Sequence, residues 1–311
     1  MVEHFTVKTR EKVALHVDVY HPKMDPRATL LVLHGMAEHK GRYKELCTYL
    51  ADRGFKVYIY DQRGCGETQV LDFPKGMIAY QHGWELLEED ANQMLGLIHA
   101  RHDDLPQFLL GHSMGSLLAR SVASTKKEDL AGVILSGTPK NPGTMGAVGK
   151  RIAGLINFFG DKKKPSPFLS EMLFKNHNER FEPKRTSYDW LSRDDERVDD
   201  YVSDEYCGFI CPPSFYYDLI SGAQKAWRQK TCDHTSKNLP FLFLSGTDDP
   251  VGGYGQGVKE AKKAYQDAGV KRVTVQMYTG ARHEVFNEIN RKEVFQDVEN
   301  WMDEAIIGWE G

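Results

Sequence analysis

The sequence predicts an α/β protein with a mostly parallel central sheet and helices on both faces. The main observation is a set of short apolar runs, rich in β-branched or aromatic residues, that each end at turn residues. Such runs are typical of parallel strands that are buried between two helix layers. Six of them occur, at 29–35, 54–64, 108–113, 131–138, 239–250 and 272–283.

The second observation is the alternation of these runs with segments of helical periodicity. Strand–helix alternation predicts parallel strands joined by crossover helices. The helical segments lie at 41–54, 84–102, 116–126, 257–269 and 292–309. The first strands, near residues 4–20, lie close together in the chain and predict an antiparallel start of the sheet.

The third observation is a long break in this alternation, in which no clear strand occurs. It begins with Pro and Gly and then shows apolar residues at helical spacing. A segment of this length predicts a helical cap over a pocket. The expected organisation is therefore a core at 1–138, a cap insertion at 139–238 and the rest of the core at 239–311.

Composition narrows the classes of function. The 311 residues include 40 Lys and Arg against 44 Asp and Glu, so a net charge of −4 gives no reason to expect nucleic acid or an anionic membrane as partner. No apolar run approaches the roughly 20 residues that span a bilayer, so stable membrane insertion is not expected. The N-terminus does not resemble a signal peptide. The sequence does not fix the oligomeric state.

The five cysteines indicate a reducing compartment, because an odd and sparse set does not form a disulfide framework. Together with the missing signal peptide, this predicts a cytoplasmic protein. Cys207 and Cys211 are four residues apart, but no second pair matches them. Because a zinc site needs more ligands, we expect no metal here.

Ser113 lies in the stretch Gly-His-Ser-Met-Gly, between a strand-like and a helix-like segment. Small residues on both sides, Gly111 and Gly115, allow a sharp turn from strand to helix. Such a turn exposes the hydroxyl at the carboxyl edge of the sheet, where the following helix N-terminus favours negative charge. We therefore predict Ser113 as a nucleophile.

A serine hydroxyl needs a base within hydrogen-bond reach, and the base needs an orienting carboxylate. His283 follows the last predicted strand, and Asp248 and Asp249 follow the strand before it. These positions fit, because open α/β sheets carry their chemistry at the carboxyl ends of the strands. Asp249 is the favoured acid and Asp248 the alternative.

Acyl transfer also requires N–H donors for the developing oxyanion. The backbone N–H of Met114, directly after the nucleophile, is one expected donor, and that of Met36, in the loop after strand 29–35, is the other. Glu38 and Arg42 in the same loop are candidates for the polar mouth of a substrate pocket. They could equally form a charge cluster at a helix start.

The stretches 34–43, 61–68, 111–115, 245–251 and 280–288 together resemble the α/β-hydrolase superfamily, and within it the monoacylglycerol lipase and lysophospholipase group. The resemblance extends over nearly the whole chain. It implies a serine hydrolase of carboxylic esters without metal or cofactor. It assigns the nucleophile to Ser113, the acid to Asp249, the base to His283 and the oxyanion donors to Met36 and Met114.

The function that follows is hydrolysis of lipid-like esters, monoacylglycerol or lysophospholipid, through an acyl-enzyme. Apolar cap residues, Leu155 and Phe159 among them, are expected either to line the acyl pocket or to pack the cap onto the core. Alternatives are an aryl or cinnamoyl esterase, a proline-type aminopeptidase and a slowly reacting receptor. Cys65 and Thr68 depart from the group, which more often has histidine and serine there.

Overall fold

One eight-stranded sheet forms the centre of the protein. The structure, a computed structural model, describes residues 1–125 and 130–309. The strands are β1 (Val2–Lys8), β2 (Ala14–Tyr20), β3 (Ala28–Leu33), β4 (Phe55–Tyr60), β5 (Gln107–His112), β6 (Gly132–Ser136), β7 (Phe241–Gly246) and β8 (Val273–Tyr278). Their order is β1-β2-β4-β3-β5-β6-β7-β8.

The pairing of the strands confirms the predicted sheet. β1, β2 and β4 pair antiparallel, and every pair from β4 to β8 is parallel. Strands β3 and β5 are buried along their whole length, since each is covered on both faces. Each of the six predicted apolar runs overlaps one of the parallel strands, with β3 and β5 beginning one residue before their runs.

Helices cover both faces of the sheet. They are α1 (Lys44–Ala51), α2 (Gly83–Arg101), α3 (Met114–Ala123), α4 (Gly143–Phe159), α5 (Pro167–Phe174), α6 (Asp195–Ser203), α7 (Pro213–Ala226), α8 (Gln229–His234), α9 (Gln256–Asp267) and α10 (Arg291–Ile307). One hydrophobic core joins the sheet to α2, α3 and α9. A second core joins its other face to α1 and α10.

The chain between β6 and β7 forms helices α4 to α8 and no strand. Within this segment, α7 packs against α4 and also against the core helices α2 and α3. The division of the chain at 138/139 and 238/239 stays a prediction. Residues 126–129 and 310–311, which fall in the predicted core segments and include the end of the predicted helix 116–126, lie outside the described residues.

The topology brings the ends of distant strands together. Parallel strands β5, β7 and β8 all end at the same edge of the sheet, and Ser113, Asp249 and His283 lie shortly after these ends.

None of the described helices combines the length and apolarity that a membrane crossing needs.

Candidate active site

Ser113 lies on a strained turn between β5 and α3. Its φ of +52° and ψ of −116° place a residue with a side chain in a region that L-amino acids rarely adopt. The flanking glycines make the turn possible: a Cβ on Gly111 would lie 2.1 Å from the carbonyl oxygen of Gly115, and one on Gly115 would lie 2.1 Å from that of Leu33. The close packing of the turn therefore requires both glycines.

A chain of two hydrogen bonds joins the three predicted triad residues. The Nε2 atom of His283 lies 2.9 Å from the Oγ of Ser113, and its Nδ1 atom lies 3.0 Å from the Oδ1 of Asp249. His283 and Asp249 are buried. With Nδ1–H donating to the carboxylate, Nε2 is free to accept the serine proton.

Charge complementarity sets the ionisation of this pair. Burial alone would lower the pKa of His283, but the carboxylate of Asp249 raises it above its ordinary value. Burial alone would also raise the pKa of Asp249, and the facing His283 outweighs that effect and lowers it. The lowered pKa keeps Asp249 ionised beside His283, an arrangement that could stabilise an imidazolium at this position.

The two neighbouring aspartates have different surroundings. The buried Asp249 directs Oδ1 at His283 and also accepts a hydrogen bond from the N–H of Val251 at 2.9 Å. Asp248 is exposed, and its carboxylate accepts only the hydroxyl of Thr247 at 3.3 Å among the hydrogen bonds within the described chain. The geometry therefore favours Asp249 as the acid, in agreement with the predicted preference.

The two expected oxyanion donors lie at the start of a helix and in a loop. Met114 is the first residue of α3, and Met36 lies in the loop after β3. Within the described residues, neither backbone N–H donates to another backbone or side-chain acceptor. Both amides are thus available to an incoming oxygen, and their role as oxyanion donors stays a proposal.

Glu38 and Arg42, predicted at the pocket mouth or in a charge cluster, lie in a buried ion-pair network. Arg42 pairs with Glu38 at 3.0 Å and makes two hydrogen bonds to Glu284, one of them at 2.7 Å. Glu38 also accepts from the hydroxyl of Tyr43 at 2.8 Å and from the N–H of Gly35. The cluster interpretation describes these contacts better than the pocket-mouth interpretation does.

The network holds two functional loops together. Although burial opposes its ionisation, Arg42 lowers the pKa of Glu38 to about 2. Arg42 thereby connects two loops. Glu38 accepts from Gly35 in the loop that contains Met36, and Glu284 directly follows His283. Sequence reasoning missed this pairing, because 242 residues separate Arg42 from Glu284.

The segment before α6 contacts the loop that contains His283. The carbonyl of Trp190 accepts the N–H of His283 at 3.3 Å, and the carbonyl of Leu191 accepts that of Glu284 at 2.8 Å. Arg282 donates to the carbonyls of Asp189 and Ser192. No pattern in the sequence predicted these contacts, since they use backbone atoms that any residue provides.

The structure places Leu155 and Phe159 on the outer side of α4 and not in the interior. Their side chains are 59% and 80% exposed, because the helix buries only Gly149 and Ala153 where it packs against α7. The predicted helix is confirmed, but neither predicted position of these side chains, an enclosed acyl pocket or a contact with the core, matches their exposure.

A serine on a strand–turn–helix, a histidine hydrogen-bonded to it and a buried carboxylate, arranged along a parallel sheet, are typical of the class of α/β-hydrolases. A family model described as serine aminopeptidase, S33, matches residues 24–290 of the chain. The chain belongs to this family of α/β-hydrolases.

Individual relatives agree with this assignment. The chain is 26% identical over 293 residues to a monoacylglycerol lipase of Mycolicibacterium smegmatis, covering 93% of each chain. It is 27% identical over 293 residues to the mouse monoglyceride lipase, covering 92% of this chain and 85% of that one. A thermostable carboxyl esterase from Bacillus coagulans, solved with glycerol, superposes with a TM-score of 0.87 and 25% identity over 98% and 99% of the two chains. The chain is an ester hydrolase.

Proposed function

We propose that the protein hydrolyses carboxylic esters of lipid-like substrates, monoacylglycerols or lysophospholipids, through a covalent acyl-enzyme. The observation that carries the proposal is the hydrogen-bond chain from Ser113 through His283 to Asp249 at the nucleophile turn. The names of the relatives from Mycolicibacterium smegmatis and mouse support the substrate class.

In the acylation step, Ser113 Oγ attacks the ester carbonyl while its proton moves to Nε2 of His283. The N–H groups of Met36 and Met114 bind the oxyanion of the tetrahedral intermediate. When the intermediate collapses, the bond between the carbonyl carbon and the alkoxy oxygen breaks. The leaving alcohol takes the proton from His283, and the acyl group stays on Ser113.

In the deacylation step, water takes the place of the alcohol. His283 accepts a proton from the water, whose oxygen attacks the acyl carbon, and the same two N–H groups bind the second oxyanion. Collapse returns the proton to Ser113 Oγ and releases the carboxylic acid. No group outside the described site is needed for either step.

The outer surface of the cap supports a lipid-like substrate. Helices α4 and α5 together expose a series of large apolar side chains, more than an ordinary polar surface would carry. We name this series the apolar cap face; it consists of Met145, Val148, Leu155, Phe158, Phe159, Phe168, Met172 and Leu173. Such a face suits contact with aggregated lipid, from which single substrate molecules are drawn.

The aminopeptidase alternative requires carboxylates that face the pocket to hold a substrate ammonium group. The acidic stretch 194–200, at the start of α6 and along it, could supply such carboxylates, but three of its residues form ion pairs with arginines. Asp194 caps the helix and pairs with Arg291, while Asp195 and Asp199 pair with Arg185. These pairings favour an ester substrate over a peptide.

A substrate panel tests the proposal on the purified protein. Initial rates are measured with monoacylglycerols of increasing acyl length, lysophosphatidylcholine, p-nitrophenyl and cinnamoyl esters and a proline anilide. The lipid esters are expected to give the highest kcat/KM, and the anilide the lowest. A higher value for the aryl or cinnamoyl esters, or for the anilide, would overturn the substrate assignment.

Ser113→Ala is expected to lower kcat for ester hydrolysis by about a million-fold, since the nucleophile is lost and little else changes. The melting temperature should stay close to that of the wild type, which serves as the folding control. Multiple-turnover kinetics of the wild type separate an enzyme from a receptor: a single burst without turnover would contradict the enzyme assignment.

Replacement of both Phe158 and Phe159 by serine is expected to lower the rate on a long-chain monoacylglycerol emulsion about 30-fold. The two rings are 76% and 80% exposed, and partial burial of each against lipid is worth about 1 kcal/mol. The rate on a water-soluble short-chain ester should not change. Ile307→Ser, which removes an apolar side chain that is 88% exposed at the end of α10, is the matched control.

A further inference from the structure

Three potential metal ligands meet where the cap contacts the loop after β3. His39 belongs to this loop, and Asp204 and Cys207 follow α6. The ligand atoms of the three residues all lie within 4.8 Å of one another, and the Nε2 atom of His39 lies 2.9 Å from Oδ2 of Asp204. The sequence predicted no metal here because Cys207 has too few ligands near it in the chain. His39 is 168 positions away from Cys207.

The surroundings orient these ligands. Oδ1 of Asp204 accepts the N–H of Tyr206 at 2.8 Å, which fixes the carboxylate with Oδ2 towards His39. Such secondary hydrogen bonds are typical of metal-binding carboxylates. His39 and Asp204 also line one open groove between α1 and α6, so an ion from solvent can reach them.

The local charge favours a cation. The thiol of Cys207 is within electrostatic range of three carboxylates, those of Glu38, Asp204 and Glu284, and of one guanidinium, that of Arg42. A metal ion binds cysteine as the thiolate, so binding here would remove the thiol proton of Cys207. A divalent ion would compensate both the excess negative charge and the charge of the thiolate.

We propose that His39, Asp204 and Cys207 bind one Zn²⁺ ion, with water as the fourth ligand. Nitrogen, oxygen and sulfur donors in a tetrahedral set are the ligands that zinc prefers in proteins. Binding releases the thiol proton of Cys207 to solvent. The ring proton of His39 moves from Nε2 to Nδ1, so that Nε2 can bind the ion. Because Nδ1 then carries a proton, it can no longer accept the 3.2 Å hydrogen bond from the N–H of Gly41.

The ion would join the cap to the loop that contains Met36. One backbone bond already connects them, from the N–H of Gly208 to the carbonyl of Ala37 at 3.0 Å. A metal ion between His39 on one side and Asp204 and Cys207 on the other would replace the hydrogen bond between His39 and Asp204 with coordinate bonds to all three residues. Occupancy is therefore expected to restrain this junction and to raise the melting temperature.

Titration of the purified full-length protein with Co²⁺, as a spectroscopic substitute for zinc, tests the site directly. A thiolate ligand gives an intense charge-transfer band in the near ultraviolet, together with the visible bands of tetrahedral cobalt. Both are expected in the wild type and should disappear when Zn²⁺ is added. Cys207→Ser should lose the charge-transfer band, while Cys211→Ser, which removes a nearby cysteine outside the cluster, should keep it.

Two further measurements do not depend on the folding of a variant. Binding of Zn²⁺ to the wild type in weak buffer should release about one proton per protein, detected with an indicator dye. Zn²⁺ at a hundredfold excess over its Kd should raise the melting temperature by about 4 °C. Cobalt spectra without a thiolate band in the wild type, or a zinc-induced shift that persists in Cys207→Ser, would overturn the proposal.

Discussion

Asp249→Asn is expected to lower kcat for ester hydrolysis by about 10⁴-fold, whereas Asp248→Asn should stay within about twofold of the wild type. The asparagine has nearly the same shape, so it can hold the ring of His283 in place. However, it can present its NH₂ group to Nδ1 and favour the tautomer that has its proton on Nε2. In that tautomer Nε2 cannot accept the proton of Ser113, which lies 2.9 Å away.

The pH profile of kcat/KM supplies the mechanistic control. Activity requires neutral His283, so kcat/KM should rise as pH increases through the pKa of this residue. Because Asp249 raises that pKa, its replacement should move the rise to lower pH in the residual activity. If Asp248→Asn costs more activity than Asp249→Asn, the assignment of the acid is wrong.

Arg42→Leu is expected to lower the free energy of unfolding by about 3–5 kcal/mol, because it leaves Glu38 and Glu284 buried without their cation. Arg42 is only 9% exposed in its side chain, and its partners are 3% and 5% exposed. The surface pair of Lys263 with Asp267 provides the comparison. Lys263→Ala should cost less than about 1 kcal/mol.

Urea denaturation followed by tryptophan fluorescence measures both changes, with the m-value as a check on two-state behaviour. Arg42→Lys separates charge from geometry, because a lysine keeps the charge but cannot form the paired hydrogen bonds to Glu284. We expect Arg42→Lys to recover part of the free energy of unfolding that Arg42→Leu loses. Its kcat should stay below that of the wild type. A destabilisation no larger than that of Lys263→Ala would contradict the role of the network.

Local patterns were sufficient to predict the framework of the fold and the sharp turn at Ser113. A strand such as β5 can be predicted because all its side chains are buried and most of them are therefore apolar. The turn at Ser113 can be predicted because glycine is required on both sides. The order of Asp249 and His283 along the chain then follows from the topology of the sheet. These features depend on neighbours in the sequence or on rules that hold for all parallel sheets.

Contacts between distant segments could not be predicted in the same way. The pairing of Arg42 with Glu284 depends on the approach of two loops, and the sequence alone does not state their separation. The periodicity of α4 identifies an apolar stripe but not the element that covers it. The structure leaves Leu155 and Phe159 exposed, because α7 packs against the small residues Gly149 and Ala153.

The two backbone bonds from Trp190 and Leu191 to the loop of His283 have a consequence for access to the nucleophile. If this part of the chain moved away to admit a substrate, it would pull His283 away from Ser113. We therefore expect any opening to occur at α4 and α5, because these helices bury few of their own side chains. The segment 189–192, by contrast, is expected to stay in place during turnover.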